Sequence, residues 1–215
     1  MSSQIKINLN LKFQFIMLFD SQIRDLKQHL PWEQINYAKS QLRGLDEQKR
    51  RILTPEQVKE ESHKIVARIE SMRHFQDAKV VMLYYPIQNE VDLRSLVSKY
   101  DGEKTFLLPA TLADHKMEVR IVHRDTELKK GRYGVPEPPA EAYKGKIDLI
   151  LVPGVAFDKN LYRLGRGGGY YDRFLRRYRR SFKVGVCYSS QLHENIPHSW
   201  HDIRMNHVVS PDQII

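Results

Sequence analysis

Cysteine is nearly absent from this 215-residue chain: Cys187 stands alone. One thiol can form neither an internal disulfide nor a thiolate metal cage, so a reducing, cytoplasmic home is expected. No run approaches 18 apolar residues, which excludes a membrane-spanning helix. The apolar stretch Phe13–Phe19 is short and precedes no small-residue cleavage site, so a secretory signal is not expected. A Gly-x-Ser-x-Gly elbow is missing, as are a Walker loop with its Lys-Ser/Thr and a dinucleotide fingerprint with its third glycine in place. Internal repeats and low-complexity tracts are also lacking.

Acidic residues are in short supply: 26 Asp and Glu face 35 Lys and Arg, a formal charge of +9. A basic protein attracts polyanions, whether nucleic acid, anionic lipid or a phosphate-rich small molecule. Apolar residues reach 41% and charged ones 28%, enough for a packed core without disulfide or metal.

Residues 1–38 are unlike the rest and read as an N-terminal extension containing no candidate ligand; residues 39–215 read as one domain. Pro31-Trp32-Glu33 resembles a first helical turn, with proline at its favoured position. Helical spacing of Ile35, Leu42 and Leu45, then of Val58, Ile65, Val66 and Ile69, predicts helices over about 33–52 and 55–75. Thr54-Pro55-Glu56-Gln57 is a capping box at the start of the second. Then the period changes. Val80–Tyr85, Lys104–Leu108 and Asp148–Val152 are apolar, β-rich runs, each followed by proline, as buried parallel strands would be. Met117–Val122 alternates like an antiparallel or edge strand. Helices are expected at Asp92–Tyr100 and Tyr170–Arg180, strands at Lys183–Tyr188 and His207–Val209, and loop at Arg132–Pro139. Together these predict a three-layer α/β/α fold, with a mostly parallel sheet and the N-terminal helices packed on it. Ligands of such sheets lie at the carboxyl ends of the strands, here near Tyr85-Pro86, Leu108-Pro109 and Pro153-Gly154.

The strongest local signal is Arg163-Leu164-Gly165-Arg166-Gly167-Gly168-Gly169-Tyr170-Tyr171-Asp172. Successive glycines let several N–H groups face one ligand, and the helix start adds its positive end. Arg163 and Arg166 can clamp phosphate oxygens. Asp172, in the first helical turn, could hold Mg²⁺ against them. The blander reading is a glycine turn with Asp172 favouring the helix dipole. From Arg163 to Lys183 there are eight basic residues and one acid. That density leaves open a second class, a nucleic-acid-binding module with this segment as its footprint. Lys39 and Arg43 lie four apart on one helical face; alone they would be a solvated basic patch. Glu90, after a strand, is alone as good a helix-capping acid as a ligand. His198-x-x-His201 has no supporting cysteine or Glu-x-x-His helix, so no zinc site is expected. Cys187 reads as a small buried hydrophobe in mid-strand.

The run Val152-Pro153-Gly154-Val155-Ala156-Phe157-Asp158, followed by Arg163-Leu164-Gly165-x-Gly167-x-Gly169-Tyr170-Tyr171-Asp172, resembles the signature of the 5-formyltetrahydrofolate cyclo-ligase family. Lys39-x-x-x-Arg43, Tyr85-Pro86-x-x-x-Glu90-Val91, Gly134-x-x-Glu137-Pro138 and His201-Asp202 follow that family's order. The resemblance spans about residues 39–212. It departs at Gly168, where lysine is common, so that Arg166 must supply the charge, and at Asn206, where aspartate is common.

The resemblance implies ATP- and Mg²⁺-dependent closure of 5-formyltetrahydrofolate to 5,10-methenyltetrahydrofolate, releasing ADP and phosphate. Phosphorylating the formyl oxygen would make it a leaving group, and N10 would then attack the carbon. Such a step needs positioning and charge neutralisation more than a protein nucleophile. By the same resemblance, Lys39, Arg43 and the stretch Arg163, Leu164, Gly165, Arg166, Gly167, Gly168, Gly169, Tyr170 and Tyr171 take ATP. Tyr85, Glu90 and Tyr170 take the folate, Arg166 and Tyr170 stand at the reacting centre, and Asp172 and Asp202 hold Mg²⁺. Neither nucleic acid nor membrane is an expected partner. The expected state is a monomer, with residues 1–38 the one segment through which copies could associate.

Overall fold

A computed structural model describes residues 32–215; Phe13–Phe19 and most of the expected extension lie outside the described residues. Helix α1 spans Trp32–Arg51 and runs without a break through residue 38. Helix α2 spans Pro55–Ser71. Its capping box forms as expected: the Gln57 N–H donates to Thr54 Oγ1 (3.3 Å) and the Thr54 N–H to Gln57 Oε1 (2.9 Å). Such a cap stabilises a helix start by about 1 kcal/mol. The expected continuation to residue 75 is interrupted at Met72, whose extended backbone (φ −71°, ψ 127°) separates α2 from the short helix α3, Arg73–Asp77.

The remaining elements, in chain order, are β1 (Val80–Met82), α4 (Arg94–Tyr100), β2 (Thr105–Thr111), β3 (Met117–Val122), β4 (Lys129–Lys130), β5 (Pro136–Glu137), β6 (Leu149–Pro153), β7 (Ala156–Asp158), β8 (Arg163–Leu164), α5 (Tyr170–Arg177), β9 (Phe182–Val186), β10 (Leu192–His193) and β11 (His207–Val209). Six strands form one sheet in the order β11-β9-β6-β1-β2-β3. All pair in parallel except β3, which runs antiparallel to β2 at the edge, as its alternation foretold.

The sheet is covered on both faces because its strands are apolar on both. Along β6, Leu149 and Leu151 enter one core with α2, α3 and α4, while Ile150 and Val152 enter the other with α5. Phe106 and Leu108 against Leu107 divide β2 the same way. Successive side chains of a strand point to opposite faces, so a continuous apolar run means two covered faces. The α/β/α layering is therefore as expected. The second helix packs on the sheet; α1 instead sits against β7 and the 3₁₀ turn Ser189–Gln191, at the carboxyl end of the strands.

Several boundaries differ from expectation. The ladder of β1 stops at Met82, three residues before Tyr85. Strand β2 continues through Pro109 to Thr111. β1 pairs with β2 only as far as Leu107, so a residue without an N–H is tolerated beyond it. The segment Arg132–Pro139, expected as loop, contains a 3₁₀ turn and β5. Helix α5 ends at Arg177 and β9 at Val186, so Cys187 follows the strand; it is nevertheless fully buried, and burial pushes its thiol far up. Gly185 is dictated by close approach: a Cβ there would overlap the buried ring of Phe157, which crosses the sheet end.

Candidate active site

The glycine segment leaves the β7–β8 hairpin and enters α5. Gly167 (φ +98°) and Gly169 (φ +65°) lie in the left-handed region that side chains avoid. Gly169 is the N-cap of α5 and supplies no side-chain acceptor, so the opening N–H groups of the helix have no side-chain cap. The Arg43 Nε donates to Gly165 O (2.7 Å), and its guanidinium lies against Gly167. Helix α1 thus holds the loop from the far side.

Arg163 is nearly buried and donates through Nη2 to Asp172 Oδ2 (2.9 Å). The Ile203 N–H donates to the other Asp172 oxygen (3.3 Å). On α1, Lys39 Nζ meets Asp202 Oδ2 at 2.6 Å, and both side chains are about nine-tenths buried. Burial works to raise the Asp202 carboxyl, but hydrogen bonds from Lys39 and from the Ser199 N–H and hydroxyl outweigh it, leaving it below the usual carboxylate range. For Arg43 burial wins, and its guanidinium is pulled below its ordinary value.

Glu90 is presented by a turn in which both Gln88 (φ +50°) and Asn89 (φ +60°) are left-handed. The end of α1 clasps that turn. Arg50 Nε donates to Gln88 O (2.9 Å), and Asn89 Nδ2 donates to Leu53 O (3.1 Å). Arg50 is 1% exposed, its Nη1 lies 3.8 Å from Glu90 Oε1, and both its terminal nitrogens lack a hydrogen-bond partner among the described residues. Arg166 Nη2 reaches the same carboxylate oxygen (3.0 Å), and its Nη1 reaches Gln88 Oε1 (2.8 Å). Arg166, expected at the phosphates, therefore touches the carboxylate expected at the pterin. Tyr170 shares a hydroxyl–hydroxyl hydrogen bond of 2.9 Å with Tyr133, which raises its pKa. Tyr170 and Tyr171 are both half-buried and pack on the α5 core, so neither is wholly core.

Lys39, Arg43, Glu90, Tyr133, the glycine segment and Asp202 line one cavity of about 770 Å³ at the carboxyl end of the sheet, with Arg50 and Gln88 behind its wall. Every expected site residue lines it: Lys39, Arg43, Tyr85, Glu90, the whole segment from Arg163 to Asp172, and Asp202. Six Lys and Arg side chains face three carboxylates around it, an excess that suits a polyphosphate. His198 and His201 do not converge: His198 packs at a tilt on Tyr162 (ring centroids 3.7 Å apart), while His201 lies near Trp32 and Trp200. Among the described residues, no three His, Cys, Asp or Glu side chains gather closely enough to hold a metal.

The model of the 5-formyltetrahydrofolate cyclo-ligase family matches residues 35–211. This chain belongs to that family. A probable 5-formyltetrahydrofolate cyclo-ligase of Schizosaccharomyces pombe is 32% identical over 201 residues, which cover 84% of this chain and 98% of the relative. The 5-formyltetrahydrofolate cyclo-ligase of Escherichia coli is 29% identical, with 78% of this chain and 97% of the relative covered. Among solved structures, the 5,10-methenyltetrahydrofolate synthetase of Aquifex aeolicus superposes with a TM-score of 0.73 at 38% identity, covering 82% of this chain and 91% of that one. The chain is accordingly an enzyme of the cyclo-ligase family.

The Mg²⁺ expected of a cyclo-ligase meets a particular donor set here. Asp172 and Asp202 line the cavity, but each is engaged by a cation of its own. That set fits an ion arriving with nucleotide phosphates, which would supply most of its oxygen ligands, and does not fit a preformed protein cage.

Sequence reasoning missed Arg50, Gln88 and Tyr133. Arg50 carries no signal, since one arginine at the end of a basic helix looks solvated. Gln88 and Asn89 carried a weak one, Asn being the residue that best tolerates left-handed backbone after glycine. Trp32 and Asn36 also line the cavity, although both precede residue 38.

Proposed function

We propose that this enzyme uses ATP to close 5-formyltetrahydrofolate to 5,10-methenyltetrahydrofolate, releasing ADP and phosphate. One observation carries the reading: the basic glycine loop, the Lys39–Arg43 face of α1, and Tyr85 and Glu90 of the segment after β1 line a single cavity. Phosphate-binding groups and a ring-recognising carboxylate are thereby within reach of one bound pair of substrates. The γ-phosphoryl group passes to the formyl oxygen and ADP leaves. N10 then bonds to the formyl carbon and gives up its proton to the departing phosphate or to water, the carbon–oxygen bond breaks, and phosphate leaves with that oxygen.

The loop N–H groups, Lys39, Arg43 and Arg163 hold the phosphates. The Glu90 carboxylate accepts from the pterin N–H groups, with Tyr85 and Tyr170 beside the ring. Arg166, already on Glu90, lies between the two ligands and is placed to stabilise charge on the transferring group. Mg²⁺, held by Asp172 or Asp202 with the phosphates, would neutralise their charge. The lone, buried Cys187 favours a cytoplasmic enzyme.

The basic segment offers little to a nucleic acid. Arg163 and Lys183 are buried, and Arg173 and Arg177 donate to backbone carbonyls of His115 and Met117. The deciding test is an assay for methenyltetrahydrofolate formed from 5-formyltetrahydrofolate, with ATP or folate omitted in turn. Product that requires both supports the reading. No product with both present refutes it.

A further inference from the structure

The chain contains two tryptophans, Trp32 and Trp200, and both stand at the rim of the same cavity. They are among its most exposed large apolar side chains, at 51% and 91%. They come from distant parts of the chain, the first turn of α1 and the turn after Ser199, and His201 lies between them. The His201 ring centroid is 5.4 Å from each indole. Arg176 fixes this group from below. Its Nη2 donates to His201 O (2.9 Å), and its Cζ lies 5.8 Å from the Trp200 ring. Two indoles and a guanidinium that stay open to water at a cavity mouth, braced on one another through His201, make a platform for a flat aromatic ring.

Position selects the ring. Trp32, Asn36, Lys39 and Arg43 follow one another at helical spacing and all line the cavity, so they form one stripe along α1. At 1.5 Å per residue, Lys39 lies roughly 10 Å along the helix from Trp32. A nucleotide whose phosphates rest on Lys39, Arg43 and the glycine loop therefore carries its base toward Trp32. The Glu90 and Tyr85 wall is set apart from this stripe as the pterin side. We propose that Trp32 and Trp200, backed by Arg176, form the stacking platform for the purine base of the nucleotide. This rests on the reading that Lys39, Arg43 and the loop hold its phosphates.

The two indoles are also the chain's only tryptophan fluorophores, so they report on the platform directly. The full chain is titrated separately with ADP, with inorganic tripolyphosphate and with 5-formyltetrahydrofolate. Tripolyphosphate binding is followed by inhibition of ATP turnover. ADP is expected to change the tryptophan emission, while tripolyphosphate binds and leaves it unchanged. Trp200→Ala and Trp32→Ala are expected to raise the KM for ATP about ten- to hundredfold, the usual range for losing one aromatic under a base. The effect on KM should exceed that on kcat, tripolyphosphate inhibition should be retained, and Trp200→Phe should recover most of the loss.

Unchanged KM for ATP in both alanine variants overturns the platform. So does an emission change produced by 5-formyltetrahydrofolate and not by ADP, which assigns the indoles to the folate. If neither ADP nor tripolyphosphate binds the wild-type chain, the nucleotide reading of the whole cavity falls first. If both bind and only the KM test fails, the platform alone is lost.

Discussion

Replacing Asp172 by Asn separates two roles that the sequence alone would merge. A first-turn aspartate that merely favours the helix dipole is worth only some tenths of a kcal/mol to about 1 kcal/mol. The structure gives it a larger burden. Arg163 has 4% of its side chain exposed, its Nε has no partner, and Asp172 is its only ion-pair partner among the described residues. Removing one member of a buried pair outright costs about 3–5 kcal/mol. Asparagine keeps an acceptor of the same shape, and a neutral hydrogen bond retains roughly half the strength of a charged one. The expected loss is therefore about 2–3 kcal/mol. For a chain of this size that lowers Tm by roughly 4–12 °C. Thermal unfolding of wild type, Asp172→Asn, Arg163→Met and the double variant closes the cycle. The double variant should regain much of the lost stability, since the stranded cation is gone. Turnover should stay orders of magnitude down in all three variants, because the charges facing the phosphates are missing. Measured across Mg²⁺ concentrations, Asp172→Asn should not recover at high metal. A Tm within about 2 °C of wild type would show the pair to be energetically silent. A wild-type rate with unchanged Mg²⁺ dependence would remove Asp172 from the site.

Glu90→Gln should raise the KM for folate at least tenfold and that for ATP by less. Equal rises for both substrates in steady-state kinetics would instead show that the contact with Arg166 ties the two half-sites into one. Acid should weaken the Lys39–Asp202 link. The Asp202 carboxyl is depressed in the folded chain, so its stabilising effect is full above the unfolded value near 4 and is lost as pH falls through its lower folded value. The Tm difference between wild type and Lys39→Met should therefore be constant near neutrality and shrink below about pH 4; a difference that persists at pH 2 would contradict it. Deleting residues 1–30 should leave turnover within about twofold, whereas deleting through Asn36 should cut it sharply, because Trp32 and Asn36 line the cavity. Equal activity of the two truncations would show those two side chains to be dispensable.

What the sequence made legible follows from where its signals are strong. The capping box at Thr54, the alternation of Met117–Val122 and the two-faced apolar runs each reflect a local periodicity, and each appears in the fold as expected. The candidate site was legible through an ordered set of motifs, and all of its residues reach one cavity. One proline misled. Pro109 looked like a strand end, yet β2 continues through it to Thr111, because a missing N–H matters only where a neighbour would accept from it; Pro153 does close β6. Strands of two or three residues, such as β7, β8 and β10, are too short to show any period and were invisible. So were the pairings across the site. Nothing local says that Arg166 will meet Glu90 or that Arg163 will spend its charge on Asp172, because those contacts depend on how distant segments are folded together.

The walls of the cavity come from opposite ends of the chain, and this sets when the enzyme becomes competent. Lys39 meets Asp202 across 163 residues, Asp46 meets His193 across 147, and Arg43 meets Gly165 across 122. During synthesis α1 emerges before the sheet and carries its cations without any of these partners. The β1–β2–β3 core can gather on α2 and α4 long before residues 193–202 exist. Asp46, wholly buried in the finished fold, has until then only Lys49 beside it. This helix, the first among the described residues, is thus among the last to be seated, since contacts of such separation carry the largest closure entropy. A nascent chain stalled before His193 would contain Arg43 and the glycine loop but lack His193 and Asp202, the partners of Asp46 and Lys39 that seat α1. Ligand capture should accordingly begin only when the final segment arrives.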